Sequence, residues 1–122
     1  MSHLKVYQWE NETWPEFQKV KLCTSEARRI TAKLTRHFKQ PYVELVTGSH
    51  RGTGRYFRRW YGTSFIRVNR YETTLGIVCH EFAHHLNAWY YRGKHHDRKF
   101  KRSLKRVYTW AKRYLPSSEN TC

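Results

Sequence analysis

Leu75-Gly76-Ile77-Val78-Cys79-His80-Glu81-Phe82-Ala83-His84-His85 is the stretch on which the reading of this chain turns. Within it, His80-Glu81-Phe82-Ala83-His84 has the form H-E-x-x-H. On a helix of 3.6 residues per turn the two His stand one turn apart on the same face, with the Glu beside them. Two imidazoles so placed can share one zinc ion, and the carboxylate can act on the ion's water. Val78, Phe82, Leu86 and Trp89 recur at helical intervals and form an apolar stripe, from which His80, Glu81 and His84 fall away. The pattern predicts a helix packed on a core, with a separate His/Glu face lining a cleft. His85 turns toward the apolar side and reads as a packed histidine, not a ligand.

Zinc in a hydrolase takes three protein ligands and keeps a fourth position open, so one more donor is required. Gly93 stands where a C-terminal cap belongs, and His95-His96-Asp97 follows just before another helical stretch. His96 is the candidate third ligand, with Phe100 four residues later as its core anchor. His95 is the runner-up, and Asp97 could cap a helix or hold an imidazole tautomer. One Zn2+ is the implied cofactor. Three neutral imidazoles would leave the ion its full charge, lowering the pKa of its water and polarising a scissile carbonyl. Glu81 is the candidate catalytic residue, taking the water's proton and returning it to the leaving amine.

These residues resemble the SprT-like zinc metallopeptidases, which include the Spartan-type proteases that degrade proteins crosslinked to DNA. The likeness rests on the run from Gly54 to Phe100, in which Phe65-Ile66-Arg67-Val68-Asn69 leads to the motif helix and His96-Asp97-Arg98-Lys99-Phe100 resembles the family's third-ligand motif. It extends in weaker form from about Thr24 to Tyr114, through the segment Ala27 to Phe38 and Tyr42-Val43-Glu44-Leu45-Val46. Asp97 stands where the family usually has Gly, and the family's cysteine-rich zinc ribbon has no counterpart. The resemblance implies an α+β fold: a small zincin-like metallopeptidase domain with an N-terminal helix, a small antiparallel-edged sheet, the H-E-x-x-H helix and a basic C-terminal helix.

With 122 residues the chain has room for one domain, 1–122, with its core at about 24–115. Residues 1–22 hold Trp9, Trp14 and Pro15, and a short strand or a helix would both fit there. Thr24 or Ser25 can cap a helix whose Ala27, Ile30, Leu34 and Phe38 share a face and which Pro41 ends. Residues 42–46 read as a strand closed by Gly48, and 49–54 as a loop. Residues 55–61 and 64–69 read as a hairpin turned at Gly62-Thr63, and Thr73 or Thr74 begins the motif helix. In this class an extended substrate can pair with a sheet edge, a role open to residues 64–69 alongside that of an ordinary buried strand. No stretch has the length of a membrane span or the apolar run of a signal peptide. Cys23, Cys79 and Cys122 form no C-x-x-C pair, so no second, structural zinc is expected, and their odd, scattered count favours a reducing, intracellular setting, the cytoplasm or a eukaryotic nucleus.

Charge is the second strong feature, with 24 Lys and Arg against 9 Asp and Glu giving +15. A small domain so basic is built for polyanions, and like-charge repulsion favours a monomer. In the closing helix Phe100, Leu104, Val107, Ala111 and Leu115 form an apolar stripe opposite Arg98, Lys101, Arg102, Lys105, Arg106, Lys112 and Arg113. A second cluster, residues 50–61, interleaves Arg51, Arg55, Arg58 and Arg59 with Tyr56, Phe57, Trp60 and Tyr61. Arg51, Arg55, Arg58, Arg59, Lys101, Arg102, Lys105 and Arg106 are the candidate nucleic-acid contacts. Cations would meet phosphates while an exposed aromatic stacks on a base, an arrangement suited to single-stranded or mixed DNA. The expected function is zinc-dependent hydrolysis of peptide bonds in nucleic-acid-associated proteins. The alternatives are a non-catalytic nucleic-acid-binding protein with a structural zinc, disfavoured by Glu81, and a metal-dependent nuclease, disfavoured by the single Asp in the chain.

Overall fold

A computed structural model describes residues 3–48, 54–58, 63–71, 73–91 and 98–115. They form an α+β arrangement of four α-helices and two small sheets. The N-terminal stretch is helical: α1 (His3–Thr13) is followed by a 3-10 turn at Pro15–Lys19 and by the short strand β1 (Lys21–Leu22). Pro15 opens the 3-10 turn, where its missing N–H leaves no bond unmade. Val6 and Glu10, one helical turn apart, are both buried.

Helix α2 (Thr24–His37) buries Ala27, Ile30 and Leu34 as the periodicity predicts. Its cap position belongs to Cys23, which is extended at φ −81 and makes no side-chain cap bond, so Thr24 and Ser25 lie inside the first turn. The helix closes with Lys39 in the left-handed region at φ 54, while Gln40 N–H reaches Thr35 O at 3.1 Å and Lys39 N–H reaches Arg36 O at 3.2 Å. That is a Schellman ending, and it turns the chain before Pro41.

The larger sheet has the order β2 (Val43–Gly48), β4 (Ser64–Asn69), β3 (Gly54–Phe57). β3 and β4 are the expected hairpin, paired from Gly54↔Val68 to Phe57↔Phe65; residues 59–61 of the expected first strand lie outside the described residues. Gly62 of the expected turn lies outside the described residues. β2 runs parallel to β4 on its other side, from Val43↔Ser64 to Gly48↔Asn69. Residues 64–69 are therefore the central strand, paired along both sides, and they offer no edge to a substrate. The sheet is mixed, with an antiparallel edge at β3 and a parallel edge at β2.

β1 pairs with β5 (Thr73–Thr74), and Leu75 N–H bonds Val20 O at 2.8 Å, so the N-terminal segment is tied to the start of α3 (Leu75–Leu86). Thr74 is the N-cap, its Oγ1 accepting Ile77 N–H at 3.2 Å and donating to Gln18 Oε1 at 3.1 Å. α3 continues into a π-helical turn at Asn87–Tyr91 and packs on α4 (Arg98–Ala111), α2, β3 and β4. It lies at the centre of the molecule: His80, Glu81 and His85 are buried together with Val78, Phe82 and Leu86. The single apolar stripe foreseen from sequence understates this, because α1 and β3 cover the polar side as well. Among the described residues no helix is long and apolar enough to cross a membrane.

The caps give a direct check. Thr74→Ala is expected to cost about 1 kcal/mol of unfolding free energy in urea titrations. Thr24→Ala, which removes no cap bond, is expected to stay within about 0.5 kcal/mol of the parent.

Candidate active site

His80 leaves α3 toward α1, where its Nδ1 lies 2.9 and 2.8 Å from the two carboxylate oxygens of Glu10. Both side chains are enclosed, 5% and 3% exposed. The Tyr108 hydroxyl of α4 donates to Glu10 Oε1 at 2.7 Å and approaches the Gly76 carbonyl at 3.3 Å. Burial, reinforced by the Glu10 charge, pushes the Tyr108 phenol well above its ordinary 10.0, so it remains a donor. A carboxylate only accepts, so Nδ1 carries a proton, and the tautomer this contact selects for an uncharged ring has Nε2 as the electron-pair donor. Nothing in the sequence singled out Glu10.

His84, half-buried, stands with its ring centroid 5.1 Å from that of His80 at an interplanar angle of 74°. Two imidazoles bound at about 2 Å to one tetrahedral ion have centroids roughly 5 Å apart, which is the spacing of this pair. The His84 ring stacks on Phe100 at 4.2 Å and faces Tyr56 at 6.4 Å, while Phe100 also meets the His80 ring at 5.2 Å. Phe100, expected to anchor His96, thus packs against both motif imidazoles from the first turn of α4. His95, His96 and Asp97 lie outside the described residues, as does Gly93. Among the described residues no set of three His, Cys, Asp or Glu side chains is placed to hold a metal ion.

Glu81 is 4% exposed. Burial, with the Glu10 charge in support, raises its carboxyl from the ordinary 4.5 to about 7, opposed by the electrostatic influence of His80 and Arg55 and by a backbone N–H from Tyr56. β3 makes this possible because Gly54 has no side chain. A Cβ there would meet Ile77 Cγ2 at 2.9 Å, Glu81 Cγ at 3.2 Å and the Arg67 carbonyl at 3.3 Å. Glycine at that point lets the strand approach the Glu81 side of α3 without displacing Ile77.

His85 is a packed histidine, as its place on the apolar side implies. Its Nε2 lies 2.8 Å from the Pro41 carbonyl and its Nδ1 lies 2.8 Å from the Tyr56 hydroxyl. The carbonyl requires a proton on Nε2, so Nδ1 accepts from Tyr56. Burial lowers its pKa to about 4 and holds it neutral, with both nitrogens occupied.

The basic candidates divide into groups. Arg55 is exposed and lies over the Phe57 ring at 5.2 Å, while Arg58 is half-buried over Trp89 at 4.9 Å. Arg51 and Arg59 lie outside the described residues. Tyr56 is turned onto His84 and His85, and Phe57 stacks on Phe65 at 4.5 Å, so these two aromatics serve the fold instead of standing out to receive a base. On α4, Arg102, Lys105 and Arg106 are exposed and Lys101 is half-buried with its ammonium 4.8 Å from the Trp9 ring. Lys105 and Arg106 join His37, Phe38, Trp110 and Arg113 around an open groove of about 470 Å³ between the end of α2 and α4.

Comparisons with protein-family models, with curated proteins and with solved structures find no match to this chain. The Gly54 contact can be tested without any ligand: Gly54→Ala is expected to lower unfolding free energy by roughly 1–3 kcal/mol, and Gly54→Val by more. Chemical denaturation followed by tryptophan fluorescence measures both.

Proposed function

We propose that this protein is a zinc-dependent peptidase that hydrolyses peptide bonds of nucleic-acid-associated proteins. The observation that carries the proposal is the pair of motif imidazoles 5.1 Å apart, one fixed in its tautomer by Glu10, with the buried carboxyl of Glu81 adjacent in the chain. His80 and His84 would hold the ion, with His96 as the third ligand proposed from sequence. Bound zinc supplies a Lewis acid for the scissile carbonyl and a water of lowered pKa. Glu81 then acts twice, taking a proton from the attacking water and delivering it to the departing amine. A carboxyl that burial has moved toward neutrality is suited to both steps. A structural zinc site would take four ligands and would have no use for a buried carboxyl at this position.

The resemblance to SprT-like peptidases and the charge of +15 support a nucleic-acid setting. Arg102, Lys105 and Arg106 offer phosphate contacts along α4, and the groove that Lys105 and Arg106 border adds Arg113 and His37. A peptidase held on DNA meets DNA-bound proteins at high local concentration, and loose cleavage specificity then suffices.

Metal analysis combined with casein and histone cleavage, with and without DNA, tests the proposal. The parent is expected to carry one zinc and cleave, Glu81→Gln to keep the metal and lose at least about a hundredfold in kcat. His80→Ala and His84→Ala should lose the metal. A metal-loaded protein without cleavage, or full activity in Glu81→Gln, would reject the peptidase assignment. Affinity for a single-stranded oligonucleotide, read by fluorescence anisotropy, should fall steeply with salt. Neutralising Lys101, Arg102, Lys105 and Arg106 together should weaken it and reduce the salt slope by roughly 0.7 for each lost phosphate contact. Salt-insensitive binding would remove the nucleic-acid part and leave the peptidase part standing.

A further inference from the structure

We infer that Glu10, on α1, is a positioning residue of the metal centre, orienting His80 and strengthening its hold on the ion. The inference rests on the zinc reading above and deepens it. Glu10 lies outside the span of the SprT-like resemblance, which starts near Thr24, so the contact is a property of this chain's own N-terminal segment. Three observations converge on it.

The first is the geometry. Both carboxylate oxygens lie within 2.9 Å of His80 Nδ1, and the Tyr108 hydroxyl secures one of them at 2.7 Å. The carboxylate is thus held between α3 and α4, with Val6 packed one turn earlier to anchor α1.

The second is its cost. A carboxylate in the core gives up its hydration, and an apolar side chain of similar volume commonly serves a fold as well or better. Packing alone therefore does not account for a Glu here. The third is its direction. A carboxylate on Nδ1 fixes the tautomer that presents Nε2, limits rotation of the ring and raises the basicity of the coordinating nitrogen. Glu10 would thus act on the metal through His80, without touching substrate or ion.

The test is zinc affinity, measured by competition with a chromophoric chelator, together with the melting temperature of the metal-free protein. Glu10→Gln removes the charge and keeps a hydrogen-bonding group of the same size. It is expected to weaken zinc binding about tenfold to a hundredfold, while Glu12→Gln, the same change at an exposed position of α1, leaves affinity at the parent value. A role in packing alone would move the melting temperature and leave the affinity of the folded molecules unchanged. A folded Glu10→Gln that binds zinc as tightly as the parent overturns the inference and leaves the metal reading intact. Parent protein that takes up no zinc overturns both. Should Glu10→Gln fail to fold, Tyr108→Phe carries the same measurement, since it removes only the hydroxyl that steadies the carboxylate. A loss of a few-fold supports the inference there, and unchanged affinity overturns it.

Discussion

A hydrogen-bonded acid and imidazole enclosed in the core is the constraint around which this molecule is arranged. Neither group tolerates burial alone, since an unpaired carboxylate or imidazole away from water costs far more than an ordinary packing defect. The pair therefore requires α1 to stay docked on α3, although Glu10 and His80 are 70 residues apart in the chain. Tyr108 extends the requirement to α4, because its hydroxyl completes the carboxylate's set of donors. The ring of Tyr108 also stacks on Trp14 at 5.3 Å and meets Phe17 edge-on at 4.7 Å, so the same residue builds the apolar wall beneath the polar trio. Packing and polar satisfaction are here the work of one set of side chains.

The other side of α3 follows the same logic with different parts. Tyr56 donates to His85 and lies over His84, and the Pro41 carbonyl takes the remaining proton of His85. His85 is thereby removed from metal chemistry, while its neighbour His84 is held by rings on two sides. β3 brings Tyr56 to this place and can do so because Gly54 admits the strand against Ile77 and Glu81. The consequence is a motif helix whose three polar motif side chains are set by different elements: His80 by α1, Glu81 by β3, His84 by Phe100 of α4 and Tyr56 of β3.

Much of this was legible in the chain because the signals were local. The α2 face, the hairpin of β3 and β4, the cap at Thr74 and the packed character of His85 all follow from spacing or residue type. The errors came from long-range partners. Residues 64–69 read equally well as an edge or an interior strand, since alternation does not reveal that β2 returns in parallel on the open side. Cys23 took the cap position because a backbone in the extended region suffices there, and the neighbouring hydroxyls then entered the helix. Glu10 left no signal at all: a Glu on a helix is ordinarily a solvated residue, and only the tertiary docking of α1 converts its i, i+4 relation to Val6 into burial. The aromatics between Arg55 and Arg58 looked available to bases until the site beside them claimed Tyr56.

The net charge of +15 is sharpened by where the acids go. Glu10 and Glu81 are withdrawn into the core, and Glu26 is engaged with Arg29 at 2.6 Å. The cations of α4 and of the 3-10 turn that follows it, Lys112–Tyr114, meet rings: Arg106 lies over Phe38, Lys112 over Trp14 and Arg113 over Trp110. Such contacts are worth about 0.5–1 kcal/mol at exposed sites and order the side chain, yet a ring carries no net charge and neutralises nothing. The outward field of α4 is therefore undiminished by its aromatic neighbours. At physiological ionic strength that field fades over about 8 Å, so it is felt only close to the surface. The charged face of α4 and the buried group around His80 and Glu81 are thus separate features of the fold, one set by solvated cations and the other by enclosed hydrogen bonds.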